Sequence, residues 1–131
     1  MSQVTRIIYE DWGGDPQSKV CEKIVDYLVQ NKTASHLTYG ILRRILGDGF
    51  TEFEILDSVQ YLCGARVNLL QPGFEFIDDS GIYPINTSEL REAEKHGNLV
   101  HPFSGELVTD YKNNVCIYFE PSELVKDISL E

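Results

Sequence analysis

The sequence predicts an α+β fold, on three observations. Apolar residues recur at helical spacing between Asp15 and Gly64, the period shortens to two between Ala65 and Ile77, and the run from Val115 to Glu120 is nearly continuous in β-branched and aromatic residues. The 131 residues suffice for one domain with a buried core, and 42% hydrophobic with 24% charged residues is an ordinary globular composition. A single domain over 1–131 is expected, with a core over 15–78 and an extension over 79–131. No apolar run approaches the roughly 18 residues of a membrane span, and the N-terminus lacks a secretory stretch, which points to the cytoplasm and away from membranes.

Val4-Thr5-Arg6-Ile7-Ile8-Tyr9 is a β-prone run that reads as an N-terminal strand or arm anchored by Trp12, before the Gly13-Gly14 turn. Asp15 before Pro16 is a helix start, with the carboxylate as cap and proline in the first helical position. The first helix should run from Pro16 to Gln30, burying Val20, Cys21, Ile24, Val25, Tyr27 and Leu28. A second helix is expected from Ser35 to Leu46. Gly40 inside it costs ~1 kcal/mol relative to alanine, for which a close helix contact would account. Gly47-Asp48-Gly49 then turns the chain.

The third helix opens at Thr51, with Glu54 placed to complete a reciprocal capping box, and should close at Gly64 in the left-handed conformation. Phe53, Leu56, Val59 and Tyr61 or Leu62 are assigned to its buried face, and Glu52, Asp57 and Gln60 to solvent. Alternation on both sides of Gln71-Pro72-Gly73 predicts a β-hairpin turning there. Further on, Ser88 should cap a helix from Glu89 to His96 that ends at Gly97. Asn113-Asn114 precedes the strand from Val115 to Glu120, expected to be central or at an interface, and Ser122 caps a final short helix.

Helix, helix, capped helix and hairpin in this order over residues 15–78 resembles a winged-helix domain, the helix-turn-helix variant. The resemblance implies a three-helix core with a β-hairpin wing, plus a C-terminal helix and strand extension. It places the helix from Thr51 to Cys63 in the recognition position and Gln71-Pro72-Gly73 at the wing tip.

Charge argues against the use that position has in DNA readers. Six bases face five acids up to Gly47, but five bases face sixteen acids after it, so nearly all of the net −10 belongs to the third helix and the residues beyond it. Such a field repels phosphate and disfavours nucleic acid, while speeding encounter with a basic partner. The expected function is a non-catalytic interaction module or adaptor that binds a basic protein surface through Glu52, Asp57, Glu75 and Tyr118. A DNA-binding regulator using Arg43, Arg44 and Arg66 is one alternative, and an acidic toxin-neutralising or DNA-mimicking inhibitor the other; homo-oligomerisation stays open.

Catalytic signals are sparse. Cys21, Cys63 and Cys116 are widely spaced among apolar neighbours and read as buried structural thiols, since free cysteine is usually buried. His36, His96 and His101 show no metal-ligand spacing; pairing Cys63 or Cys116 with His101 is the only nucleophile to weigh, and the buried thiol is favoured over it. Asp78 and Asp79 before Ser80-Gly81 could hold a hard cation, but such a sequence is ordinarily just a turn. No cofactor, metal or enzymatic activity is expected.

Overall fold

The computed structural model describes residues 3–128. Over those residues it is α+β, with α1 (Gln3–Trp12), α2 (Pro16–Gln30), β1 (Leu37–Thr38), α3 (Tyr39–Leu46), α4 (Glu52–Cys63), β2 (Leu70–Asp78), β3 (Gly81–Ile85), α5 (Thr87–His96), β4 (Leu99–Val100), β5 (Leu107–Val108) and β6 (Val115–Pro121). One sheet has the strand order β1-β6-β2-β3, and β4 pairs with β5 separately. Two compact units divide the chain: the residues up to Gln71 with those from Phe119 onward, and Pro72–Tyr118. No helix among the described residues is long and apolar enough to cross a membrane.

In the first unit the expected N-terminal strand is instead α1. Val4, Ile7 and Ile8 fall at helical steps; Ile8 is fully buried and Val4, Ile7 and Trp12 pack against the same core. Burial of that stripe outweighs the few tenths of a kcal/mol per residue by which β-branched side chains disfavour a helix. Trp12 does serve as an anchor, edge-on to Tyr61 at 5.3 Å, and its buried Nε1 has no hydrogen-bond partner among the described residues.

Helix α2 has the predicted bounds and buries the predicted stripe except Tyr27, which is half-buried, but the Asp15 carboxylate makes no cap bond; Pro16 and the Asp15 carbonyl, which accepts from the Ser18 amide at 3.0 Å, start the helix without it. Helix α3 begins at Tyr39 and not Ser35, because Thr38 is the cap: its Oγ1 accepts from the Ile41 amide at 3.3 Å. Gly40 is exposed in the first turn, and a Cβ there would meet only Thr38 Oγ1 at 3.9 Å, so no close helix contact accounts for it. The Thr51–Glu54 box at the start of α4 is formed, with bonds of 3.1 and 2.8 Å. Gly64 is not left-handed (φ −74°); that conformation falls on Asn68 (φ 49°), whose amide donates to the Gly64 carbonyl at 2.9 Å. Ser122 closes the unit as predicted. It caps a short 3-10 helix through the Leu124 amide, and its hydroxyl donates to the Asn68 carbonyl at 2.7 Å.

At the boundary between the units along the chain, Gln71-Pro72-Gly73 is not a turn but lies inside β2, so no wing tip forms there. The hairpin joins β2 to β3, from Phe74 opposite Ile85 to Asp78 opposite Gly81. Pro72 precedes the first residue paired to β3, so its missing amide costs that ladder nothing. Gly73 is required by contact: a Cβ would stand 2.4 Å from the Tyr118 ring. Asn86, not Ser88, caps α5, with Glu89 completing the box, and Gly97 ends it in the left-handed conformation (φ 76°). Strand β6 has neighbours on both sides, as the sequence implies, yet Cys116 and Ile117 on it are exposed.

Candidate interaction surface

Helix α4 turns Ile55, Ser58, Val59 and Leu62 inward, at steps of three and four residues. Ser58 is small enough to lie flat against α2. Its hydroxyl donates to the Glu54 carbonyl at 2.7 Å, and the Cys21 thiol reaches its carbonyl at 3.9 Å. Val59 and Leu62 are buried as expected, but this register overturns the assignment of Phe53 and Leu56 to the core face. Phe53 is 71% and Leu56 45% exposed, three residues apart on the outer side, with Glu52 and Gln60 exposed around them. Once Ile55 and Leu62 both face α2, Phe53 and Leu56 are carried outward by the 100° advance per residue.

The predicted binding residues do not behave alike. Glu52 is exposed and makes no hydrogen bond or ion pair among the described residues, whereas Asp57 is half-buried and accepts from Gln17 Nε2 at 3.2 Å. Glu75 and Tyr118 are half-buried and belong to the other unit, with Glu75 opposite Pro84 in the hairpin and Tyr118 lying over Gly73. Among the bases proposed for DNA, Arg43 Nη1 donates to the Phe50 carbonyl at 2.8 Å. Arg66 is paired to Asp11 at 2.9 Å and Glu10 at 3.4 Å, on the helix the sequence presents as a strand. Arg66 and the Tyr61 hydroxyl both donate to Asp11 and hold its carboxyl below the usual range; burial, then Asp11, pushes the Tyr61 phenol up. Arg44 alone of the three has no such partner among the described residues.

Sequence reasoning missed the polar cluster of the second unit. His101 is buried, and its Nδ1 accepts from the Phe103 and Ser104 amides at 3.0 and 3.1 Å. That assigns the ring proton to Nε2, which donates to Asp78 Oδ2 at 2.7 Å. Ser80 donates to the other oxygen at 2.6 Å, and Ser80 first and His101 second hold the Asp78 carboxyl down at about 2. The order Ser–Asp–His is not that of a nucleophile relay. The hydroxyl bonds the carboxylate and both imidazole nitrogens are occupied elsewhere, so the imidazole does not contact the hydroxyl as a relay requires. The one hint is a polar ring between Leu99-Val100 and the turn Pro102-Phe103-Ser104-Gly105.

The cysteines divide by depth. Cys21 is buried and Cys63 half-buried, and burial pushes their thiols up to about 12 and about 11; Cys116 is exposed, against expectation. No group of three or more His, Cys, Asp and Glu side chains able to hold a metal gathers among the described residues, and Asp78 is committed to Ser80 and His101. Comparison with known proteins finds no matching family model, no matching curated protein and no matching solved structure.

Proposed function

We propose that this chain is a non-catalytic protein-interaction module whose docking surface is the outer face of α4. The observation that carries the reading is the exposure of Phe53 at 71% beside Leu56 on a helix with no lysine or arginine. A large aromatic side chain kept in water contributes little to folding but is the residue type that concentrates binding energy at an interface. The partner is a protein presenting an apolar pocket rimmed by basic residues. Phe53 and Leu56 would fill the pocket, and Glu52, within a chain of net charge −10, would raise the association rate and exclude acidic competitors. Helices α2, α3 and α4 followed by antiparallel strands keep the element order of a winged helix, and the proposal includes that arrangement, with α4 in the recognition position.

The test is affinity capture from native extract with the intact chain and with Phe53→Ser as baits. A stoichiometric partner should be recovered roughly tenfold or more less well by the variant, on the scale of an interface hot spot, with the unfolding midpoint unchanged. Glu52→Lys should slow association and flatten its salt dependence. Equal recovery by both baits removes α4 from consideration. A sub-micromolar gel shift of duplex DNA with a steep salt slope replaces this reading with the regulator.

A further inference from the structure

The second unit contains a groove of about 440 Å³ between α5 and the short 3-10 helix at Tyr111–Asn113. Its floor is apolar, formed by Phe74, Leu90, Tyr111 and Val115, and two cations, Arg91 and Lys112, stand on its walls. Their placement is not a by-product of composition. Within Pro72–Tyr118 only three bases, Arg91, Lys95 and Lys112, stand against eight acids. Lys95 approaches Glu92 at 4.0 Å, whereas Arg91 and Lys112 have no hydrogen-bond or ion-pair partner among the described residues. Glu94 follows Arg91 by three residues, a spacing at which helical ion pairs form, yet it lines the groove without pairing. Two unpaired cations over an apolar floor, in a strongly acidic chain, form a local inversion of the molecule's charge.

We propose that this groove binds a small amphipathic carboxylic acid, with the apolar body on Phe74, Leu90, Tyr111 and Val115 and the carboxylate between Arg91 and Lys112. The volume lies in the lower part of the ~300–1,000 Å³ span of small-molecule sites, which suits a ring or short chain bearing one acid group. Glu94 on the same wall selects a singly charged carboxylate over a dianionic phosphate, because each further negative charge on the ligand meets its own carboxylate. Arg91 and Lys112 are the only cations lining the groove among the described residues, so the charge that recognises the anion comes from these two side chains. This site is independent of α4 and of the partner proposed for it.

The experiment is an amide-resolved titration of the full chain with 3-phenylpropionate and with its uncharged isostere 3-phenylpropanamide. The acid should perturb the amides of Leu90, Tyr111 and Val115 and bind roughly tenfold or more tighter than the amide, as loss of a charge-assisted contact requires. Arg91→Gln and Lys112→Gln should each weaken the acid several-fold, and Glu94→Gln should tighten it. All three side chains are exposed, so the variants keep the fold. Equal binding of acid and amide, unchanged binding by the Arg91→Gln/Lys112→Gln double variant, or no perturbation of these amides at millimolar acid would each overturn the proposal.

Discussion

The two compact units are held by different physics. The first packs aliphatic side chains from four helices, among them Ile8, Val20, Ile24, Leu28, Leu42, Ile55 and Leu62, with hardly any surface left on each. The second buries only Phe76, Ile85, Ala93, Leu99 and Tyr111 as a cluster, and supplements them with the hydrogen-bonded His101–Asp78–Ser80 group. A core of facing aliphatic helices is sensitive to lost volume and depends little on pH, its Asp11–Arg66 pair lying at the surface. A small β-rich unit pinned by a histidine and a carboxylate should show the reverse.

Truncating Leu62 to alanine tests the first half and has the largest expected effect, a loss of about 2–5 kcal/mol in denaturant unfolding, because a cavity opens where α4 meets α2. A loss under about 1 kcal/mol would mean that the helices close around the gap and that packing does not distinguish the units. His101→Ala comes next, at roughly 1–3 kcal/mol, since it strips the acceptor from two amides and a donor from Asp78. Hydrogen exchange should accelerate at Phe103 and Ser104 while the α2 amides keep their protection. Acid sharpens the same contrast. The Asp78 carboxyl sits below its ordinary 3.8, so its stabilisation is complete above that value and is lost as pH falls through about 2. Protection at Ser80 should therefore decay between pH 4 and pH 2, and Asp78→Asn should remove that dependence. Loss of α2 protection in step with Ser80 would break the comparison. The smallest effect concerns thiols: a disulfide reagent at neutral pH should label Cys116 first, Cys63 slowly and Cys21 only on unfolding, and Cys116→Ala should shift stability by no more than about 0.5 kcal/mol. Fast labelling of Cys63 would contradict the raised thiol.

How much of this is legible in the sequence depends on how far each cause lies along the chain. The N-terminal cap of α4 and the bounds of α2 can be read because Thr51, Glu54, Pro16 and the apolar stripe act within a turn or two. Gly73 misleads because the ring that requires it, Tyr118, is 45 positions away, and Pro-Gly next to alternating residues ordinarily means a turn. The N-terminal helix is in principle visible: Val4, Ile7 and Ile8 have helical spacing, but their β-branched character points to a strand and masks it. For α4 the apolar residues outnumber those one face can hold, and periodicity alone assigns Phe53 and Leu56 to the wrong side; only the packing of Ile55, Ser58 and Leu62 on α2 fixes the rotation. His101 depends on Asp78, 23 residues earlier, and no local pattern announces such a pair.

Trp12 has a spectroscopic consequence. It is the only tryptophan in the chain and lies in the first unit, with its indole N–H shielded and unbonded among the described residues. An indole whose N–H is kept from water emits further to the blue than an exposed one, and full exposure moves that emission to the red. Intrinsic fluorescence therefore reports on the packing of the helical unit that carries the indole, and a red shift marks the loss of the Trp12 contacts there.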